Sequence, residues 1–182
     1  IWRGKIRLAG FPIIILGMTS SIFLQSPDIL VSSNAKLAAV HTDSGGYMVS
    51  TLNKAKFERN IWLRRAGLYG AEGKWPKNGA TDDISCDGIG CIYQKNGNKI
   101  SFARTAQAFA EDCASGTDVL FALEKGIEVA AYGDGCSGPS VLVTAGDLKK
   151  NGTYALWLND DGIKVETVNQ RRGNRPWVIR GD

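Results

Sequence analysis

His41 is the only histidine in the 182-residue chain, and Asp43 and Ser44 follow it closely. Serine, histidine and a carboxylate are the residue types of a hydrolase triad, in which the three side chains must converge in that order. Residues so close along the chain cannot reach that arrangement. Because Gly45 and Gly46 come next, the segment predicts a turn, and the single histidine excludes most hydrolase chemistry that depends on histidine.

Four cysteines offer a second kind of chemistry: Cys86, Cys91, Cys113 and Cys136. In an oxidising compartment they could form two disulfides, and three pairings are open. We favour Cys86 with Cys91 and Cys113 with Cys136, because each pair closes a local loop. A zinc site of four thiolates is the alternative, although the spacing lacks the paired C-x2-C knuckles of most such sites.

Basic residues are concentrated in two segments. Between Lys54 and Lys77 there are seven basic residues against two acidic ones, and the tail combines arginines with a tryptophan. Arginine beside an aromatic ring can bind phosphates and stack on unpaired bases. A solubilising face, or arginines near anionic lipid headgroups, are the alternatives. The candidate DNA or phosphate contacts are Lys54, Lys56, Arg59, Arg64, Arg65, Arg171, Arg172, Arg175 and Trp177.

Acidic residues suggest a less specific alternative, an enzyme in which Asp87, Asp112 and Asp134 converge around a cation. Glu111 and Asp112 are adjacent carboxylates, but the sequence offers no other group to pair with them in acid–base catalysis. The chain has no Walker A loop, no histidine-based metal signature and no G-x-G-x-x-G motif after a strand. We therefore expect neither a cofactor nor catalysis.

The N-terminal segment has the pattern of a membrane-spanning helix. Arg3, Lys5 and Arg7 precede an uninterrupted uncharged run over residues 8–24. Such a run covers most of a hydrocarbon core of about 30 Å. The positive-inside rule then places the N-terminal side in the cytoplasm. We expect residues 1–26 to be a basic flank and the last transmembrane helix of a chain that continues upstream. A signal peptide and a buried core helix are the alternatives.

Residues 27–182 are then a soluble domain outside the cytoplasm. Short apolar runs at residues 29–31, 37–40 and 47–49 predict a meander of three strands. Residues 54–65 predict a helix, with Phe57, Ile61 and Trp62 on its apolar face and Lys56, Arg59 and Arg64 opposite.

Turn residues divide the rest of the domain. Glycine, Pro76 and paired aspartates predict an exposed loop over residues 67–88. Asn96-Gly97 predicts a hairpin, and Asp160-Asp161-Gly162 a second one between residues 154–158 and 163–167. Further helices are predicted at 105–113 and 147–150, and further strands at 118–121, 127–130 and 140–143. Strands with interspersed helices indicate a mixed α/β or α+β layered domain.

Several segments, taken in order, resemble the C-terminal region of alphaproteobacterial ComEC-like competence proteins, which are polytopic membrane channels for DNA uptake. The resemblance covers nearly the whole chain. It rests on the apolar helix and on residues 27–32, 57–65, 86–91, 110–113, 136–139, 155–158 and 171–177.

The resemblance implies an accessory domain of an inner-membrane channel that takes up single-stranded DNA during natural transformation. Its partners would be the membrane, the upstream channel domain, single-stranded DNA and periplasmic competence proteins. Other members end in a metallo-β-lactamase-like domain, which needs clustered metal ligands. With only His41 available, we expect at most a metal-free remnant of that fold. A structural or partner-binding periplasmic domain without DNA contact is the alternative function.

Overall fold

The elements described below come from a computed structural model that describes residues 10–20, 25–68, 70, 72–81, 83–124, 127, 138–173 and 175. The helices are α1 (Gly10–Ser20), α2 (Lys56–Arg65), α3 (Ala106–Ala114), α4 (Ala145–Asn151) and α5 (Val168–Arg172). The strands are β1 (Ile29–Val31), β2 (Ala38–His41), β3 (Tyr47–Val49), β4 (Gly73–Lys74), β5 (Gly79–Ala80), β6 (Ile84–Cys86), β7 (Gly90–Lys95), β8 (Asn98–Ala103), β9 (Val119–Ala122), β10 (Val141–Thr144), β11 (Tyr154–Asn159) and β12 (Gly162–Thr167). The domain is therefore a mixed α+β fold, as predicted.

The first sheet has six strands in the order β12-β11-β1-β2-β3-β4. Strands β1, β2 and β3 form the predicted meander, paired antiparallel. Strand β11, which lies much later in the sequence, pairs antiparallel with the edge of β1 that β2 leaves free. The predicted hairpin at Asp160-Asp161-Gly162 then places β12 at the edge of this sheet.

The second sheet also has six strands, in the order β10-β9-β8-β7-β6-β5. Asn96 and Gly97 join β7 to β8, and both have positive φ angles, of 50° and 75°. This is the conformation that a two-residue hairpin turn requires. Strands β9 and β10 add in parallel beyond β8. Residues 128–130 of the predicted strand 127–130 lie outside the described residues.

The main core lies between the two sheets. The first sheet contributes Ile29, Val31 and Val40, and the second contributes several rings, all almost fully buried. Phe102 stacks on Phe121 with 5.3 Å between ring centroids, and the Trp75 ring lies 4.9 Å from Phe102.

A helix covers the outer face of each sheet. Phe109 of α3 is buried against Leu120 of the second sheet. Leu63 of α2 is buried against Leu37 and Val49 of the first. The order of layers is therefore α2, first sheet, second sheet, α3, and each helix buries one apolar stripe.

The buried face of α2 differs from the prediction. Phe57 is 77% exposed, whereas Leu63 is 2% exposed. The stripe that packs on the sheet runs through Arg59, Trp62, Leu63 and Ala66, which are spaced i, i+3, i+4 and i+7. The prediction failed because it assigned Arg59 to solvent by residue type, although an ion pair lets that side chain lie on the buried face.

The predicted loop at residues 67–88 is also wrong in part, because it contains β4, β5 and β6. Trp75 and Ile84 belong to the main core. The Trp75 indole N–H donates to the Met48 carbonyl at 2.9 Å. Glycine and proline composition indicated a loop, but a satisfied indole and short two-residue strands anchor this segment to both sheets.

Helix α1 forms within the uncharged N-terminal run and covers 11 residues of it. Its large apolar side chains, such as Phe11, Ile13 and Leu16, are exposed. Within the described ranges, no helix is both long and apolar enough to cross a membrane. The predicted span extends on both sides of α1 into residues that the structure does not describe.

Asp28 joins the two sheets at the beginning of β1. Its Oδ1 lies 2.9 Å from the Lys95 Nζ at the end of β7, and both side chains are more than four-fifths buried. Its Oδ2 accepts the Leu158 N–H at 2.8 Å, and its own N–H donates to the Leu156 carbonyl. Its carbonyl accepts from the His41 N–H at 2.7 Å. One residue therefore holds β1, β2, β11 and the tip of the second sheet together.

We expect Asp28→Asn to lower the free energy of unfolding by about 2–4 kcal/mol, because it leaves the largely buried Lys95 ammonium without its partner. Urea denaturation followed by tryptophan fluorescence measures the change. Glu111→Gln, the same charge change on an exposed side chain, should stay within about 0.5 kcal/mol of the parent chain. Equal effects of the two substitutions would contradict the role of Asp28.

Candidate nucleic-acid interface

The two basic segments that are far apart in the sequence meet in the structure. Arg65, at the end of α2, lines the same cavity as Arg171 and Arg172 of α5. Arg175, which follows α5 in the sequence, also lines it. The cavity has a volume of about 630 Å³ and opens to solvent. We call it the arginine groove.

The floor of the arginine groove is the part of the first sheet that α2 leaves uncovered. Along β11, Tyr154, Leu156 and Leu158 are buried, whereas Ala155 and Trp157 are half-buried and face the other way. Ala155 is paired on one side with Leu30 of β1 and on the other with Glu166 of β12. The alternation of the strand thus presents an aromatic ring within the floor.

Helix α5 forms one wall, and a capping box fixes its position. The Thr167 hydroxyl accepts the Gln170 N–H at 3.2 Å, while the Gln170 side chain accepts the Thr167 N–H at 3.0 Å. The amide of Asn169 donates to the Lys150 carbonyl at the end of α4, at 2.5 Å. Because the helix begins directly after β12, its last turn carries Arg171 and Arg172 over the groove.

The segment that enters the domain forms the rim of the groove. The Trp157 indole N–H donates to the Gln25 carbonyl at 3.1 Å. The Tyr47 hydroxyl donates to the Pro27 carbonyl. Burial raises the pKa of Tyr47 well above its ordinary value, so this hydroxyl keeps its proton at neutral pH. These bonds fix the orientation of the Trp157 ring and hold residues 25–27 against the first sheet.

The groove is strongly positive. Among the described residues that line it there are four arginines and a single carboxylate, Glu166. The Lys164 ammonium lies 2.9 Å from Glu166 Oε1, and the Arg171 guanidinium lies 3.8 Å from Oε2. The hydrogen bond from Lys164, followed by the charges of Lys164 and Arg171, lowers the pKa of Glu166. The Lys164 ammonium also lies 5.1 Å from the centroid of the Trp157 ring.

Guanidinium groups above an aromatic floor can bind one class of ligand well. Arginine donates two parallel hydrogen bonds to phosphate or carboxylate oxygens. An indole such as that of Trp157 can stack with a planar base as well as with a cation. The arrangement therefore fits an extended anion that carries planar groups, such as an unpaired nucleic-acid strand.

The other predicted basic contacts lie away from this groove. Lys56 is exposed at the beginning of α2, the end of that helix opposite Arg65, and Lys54 is exposed just before it. Arg64 is exposed beside Arg65 and does not line the cavity. Arg59 lies 3.6 Å from Glu72, with both side chains mostly buried, and also donates to the Leu52 carbonyl. Arg59 thus supports the structure between α2 and β4. Trp177 lies outside the described residues.

The sequence did not identify the two tryptophans of the groove as site residues. The sequence predicts Trp62 on the apolar face of α2 and Trp157 within a strand. The alternation of buried and half-buried residues along Tyr154–Asn159 shows on which face of the sheet the Trp157 side chain lies. The groove itself depends on β11 pairing with β1, which no local pattern predicts.

The turn predicted around His41 is present. The Thr42 N–H donates to the Gly46 carbonyl at 2.9 Å, and the Thr42 and Ser44 hydroxyls lie 2.8 Å apart. The His41 ring packs edge-on against Tyr47, with 5.1 Å between centroids. Burial, followed by the charge of Lys95, lowers the pKa of His41. Ser44 thus makes turn contacts rather than those of a triad.

The predicted pair Cys86–Cys91 forms a disulfide, with 4.1 Å between the Cα atoms. The two cysteines are direct partners in the β6–β7 pairing. Asp87 closes the loop between them by accepting the N–H groups of Ile89 and Gly90 at 2.9 and 2.7 Å. The predicted pair Cys113–Cys136 cannot be compared, because Cys136 lies outside the described residues.

The alternative cation site would have combined Asp87, Asp112 and Asp134. Asp87 and Asp112 both line a small cavity of about 110 Å³, whereas Asp134 lies outside the described residues. In the portion of the chain that the structure describes, no group of three histidine, cysteine or acidic side chains could hold a metal ion. Asp112 instead accepts a hydrogen bond from the Ser101 hydroxyl, and its carbonyl accepts one from Thr117.

No protein-family model, curated protein or solved structure matches the chain. The function of the arginine groove must therefore be inferred from its own geometry.

Asp112 should make the stability of the domain depend on pH. Burial raises its pKa above the ordinary 3.8, and the hydrogen bond from Ser101 opposes this only in part. The folded state therefore holds the proton more tightly than the unfolded chain, and this stabilisation is lost as the pH rises through the folded-state pKa.

Asp112→Asn keeps an acceptor for Ser101 and removes the titration. We expect the variant to gain stability relative to the parent chain as the pH rises from about 3.8, the ordinary carboxyl pKa. Urea denaturation at a series of pH values measures this difference. Glu124→Gln, an exposed carboxylate just after the end of β9, is the control; a matching pH profile for both variants would refute the assignment to Asp112.

Proposed function

We propose that the chain is a C-terminal accessory domain of an inner-membrane channel for single-stranded DNA uptake, and that it holds the strand in the arginine groove without catalysing a reaction. The observation that carries the proposal is the convergence of Arg65 with Arg171, Arg172 and Arg175 above the Trp157 floor. Such a groove combines the two terms of single-strand binding, backbone electrostatics and base stacking.

The location of the groove supports a role close to the membrane. Its rim is formed by Gln25 and Pro27, which lie at the end of the predicted membrane segment of residues 1–26 and directly after it. The exposed apolar side chains of α1 support insertion of that segment into a bilayer. The disulfide between Cys86 and Cys91 supports an oxidising compartment, in line with the periplasmic side.

We propose further that the domain is a metal-free remnant of a metallo-β-lactamase-like fold. A metal-free remnant of a metallo-β-lactamase-like domain would retain a layered α+β framework without the metal ligands. The stacked sheets with a helix on each outer face support such an origin. The fold would then have persisted after the metal ligands were lost, and the function of the domain would lie in the arginine groove.

Binding of a fluorescent oligo(dT) of about twelve nucleotides to the full chain in a mild detergent tests the proposal. We expect binding at low salt that weakens as salt rises, and weaker binding of a duplex of the same length. Arg171→Gln with Arg172→Gln should weaken binding about tenfold or more, since two phosphate contacts are lost.

Lys54→Gln with Lys56→Gln is the matched control, because it removes the same charge from exposed residues outside the groove. It should weaken binding less than about threefold. Equal losses in the two double variants would show a diffuse charge effect. No binding at low salt, combined with crosslinks to protein neighbours alone, would favour a structural or partner-binding domain.

Trp157 provides an independent test of base stacking. Trp157→Phe keeps a ring and Trp157→Leu does not, whereas both remove the N–H that donates to Gln25. Stacking of one base contributes about 1–3 kcal/mol, so the leucine variant should bind oligo(dT) at least about fivefold more weakly than the phenylalanine variant. Fluorescence anisotropy measures both affinities. Equal affinities would mean that Trp157 only anchors the rim.

A further inference from the structure

We infer that Glu166 occupies, in the free domain, the position beside Arg171 that a ligand phosphate takes, so that this carboxylate sets the affinity of the arginine groove. The inference rests on the proposed function, because it takes a phosphodiester strand as the ligand. Glu166 would therefore weaken the binding that the arginines of the groove strengthen.

The geometry places Glu166 within reach of the ligand. It lies on β12, opposite Ala155 of the groove floor, and is the single carboxylate among the described lining residues. Its Oε2 faces the Arg171 guanidinium at 3.8 Å. Carboxylate and phosphate oxygens accept from the same guanidinium N–H groups, so the two anions compete for Arg171.

Replacing Glu166 by a ligand phosphate as the partner of Arg171 costs little free energy, because the existing ion pair is weak. The Arg171 side chain is 82% exposed and its distance to Glu166 is long, so water screens the attraction. After release, Glu166 keeps Lys164, whose ammonium lies 2.9 Å from Oε1. Arg171 can therefore turn to a phosphate without leaving a carboxylate unpaired.

Glu166→Gln removes the competitor and leaves the size of the side chain unchanged. In the full chain, we expect it to bind oligo(dT) about three- to fivefold more tightly than the parent, the upper part of the range for one exposed ion pair. The slope of log affinity against log salt should steepen by about 0.7, because one more arginine becomes available to the strand.

Two further variants make the test specific. Glu111→Gln causes the same change in net charge on α3, which covers the opposite side of the domain, and should change the affinity less than about 1.5-fold. In an Arg171→Gln background, Glu166→Gln should gain less than about twofold, since the guanidinium to be released is gone. Thermal unfolding of each variant confirms that it is folded.

Each outcome bears on the inference. It is overturned if Glu166→Gln matches Glu111→Gln, if it weakens binding, or if its gain persists in full without Arg171. If neither the parent chain nor Glu166→Gln binds oligo(dT), the proposed function fails first and the inference fails with it. Binding by the parent chain without a gain from Glu166→Gln leaves the proposed function standing and removes Glu166 alone.

Discussion

The ion pair between Asp28 and Lys95 is the constraint on which the packing of the two sheets depends. A carboxylate taken out of water is costly unless its oxygens find partners. Asp28 meets this requirement with the Lys95 ammonium and the Leu158 N–H, and its own backbone bonds to Leu156 and His41. Because these partners come from both sheets, the pair fixes where β1 begins and how the sheets are aligned. The Tyr93 hydroxyl, which donates to the His41 carbonyl at 2.6 Å, provides a second link between the sheets.

The arginine groove is a consequence of that junction. Asp28 positions β11 beside β1, so the first sheet extends beyond the strands that α2 covers. Helix α2 packs on Leu37, Val49 and their neighbours, and the outer face of β11 and β12 is left to α5, which has only five residues. An apolar strip thus remains partly open, with arginines on both sides. Gln25 and Pro27, just before Asp28, complete the rim.

Local patterns in the sequence predicted much of the fold. Asn96-Gly97 predicted one hairpin because only a few residues adopt its positive φ angles, and the meander followed from short apolar runs separated by turn residues. The capping box of α5, Thr167 with Gln170, has the sequence spacing that marks the start of a helix. The strands near Trp75 could not be predicted, since they are short and held by contacts distant in sequence. The groove was beyond prediction for the same reason, since its arginines belong to two separate basic segments of the sequence that only the fold brings together.

The state of these arginines suggests how the groove would bind. Arg59 is on the same helix as Arg65 but is committed to Glu72, with both side chains largely buried, so removing it would cost stability. Arg171 is exposed and only loosely paired, so its guanidinium can change partners at little cost. A site built from such side chains gains little from any single phosphate and more from a strand that presents several in a row. Weak individual contacts along a stacking floor favour reversible holding of a strand over tight capture, in keeping with the role beside a DNA channel that we propose.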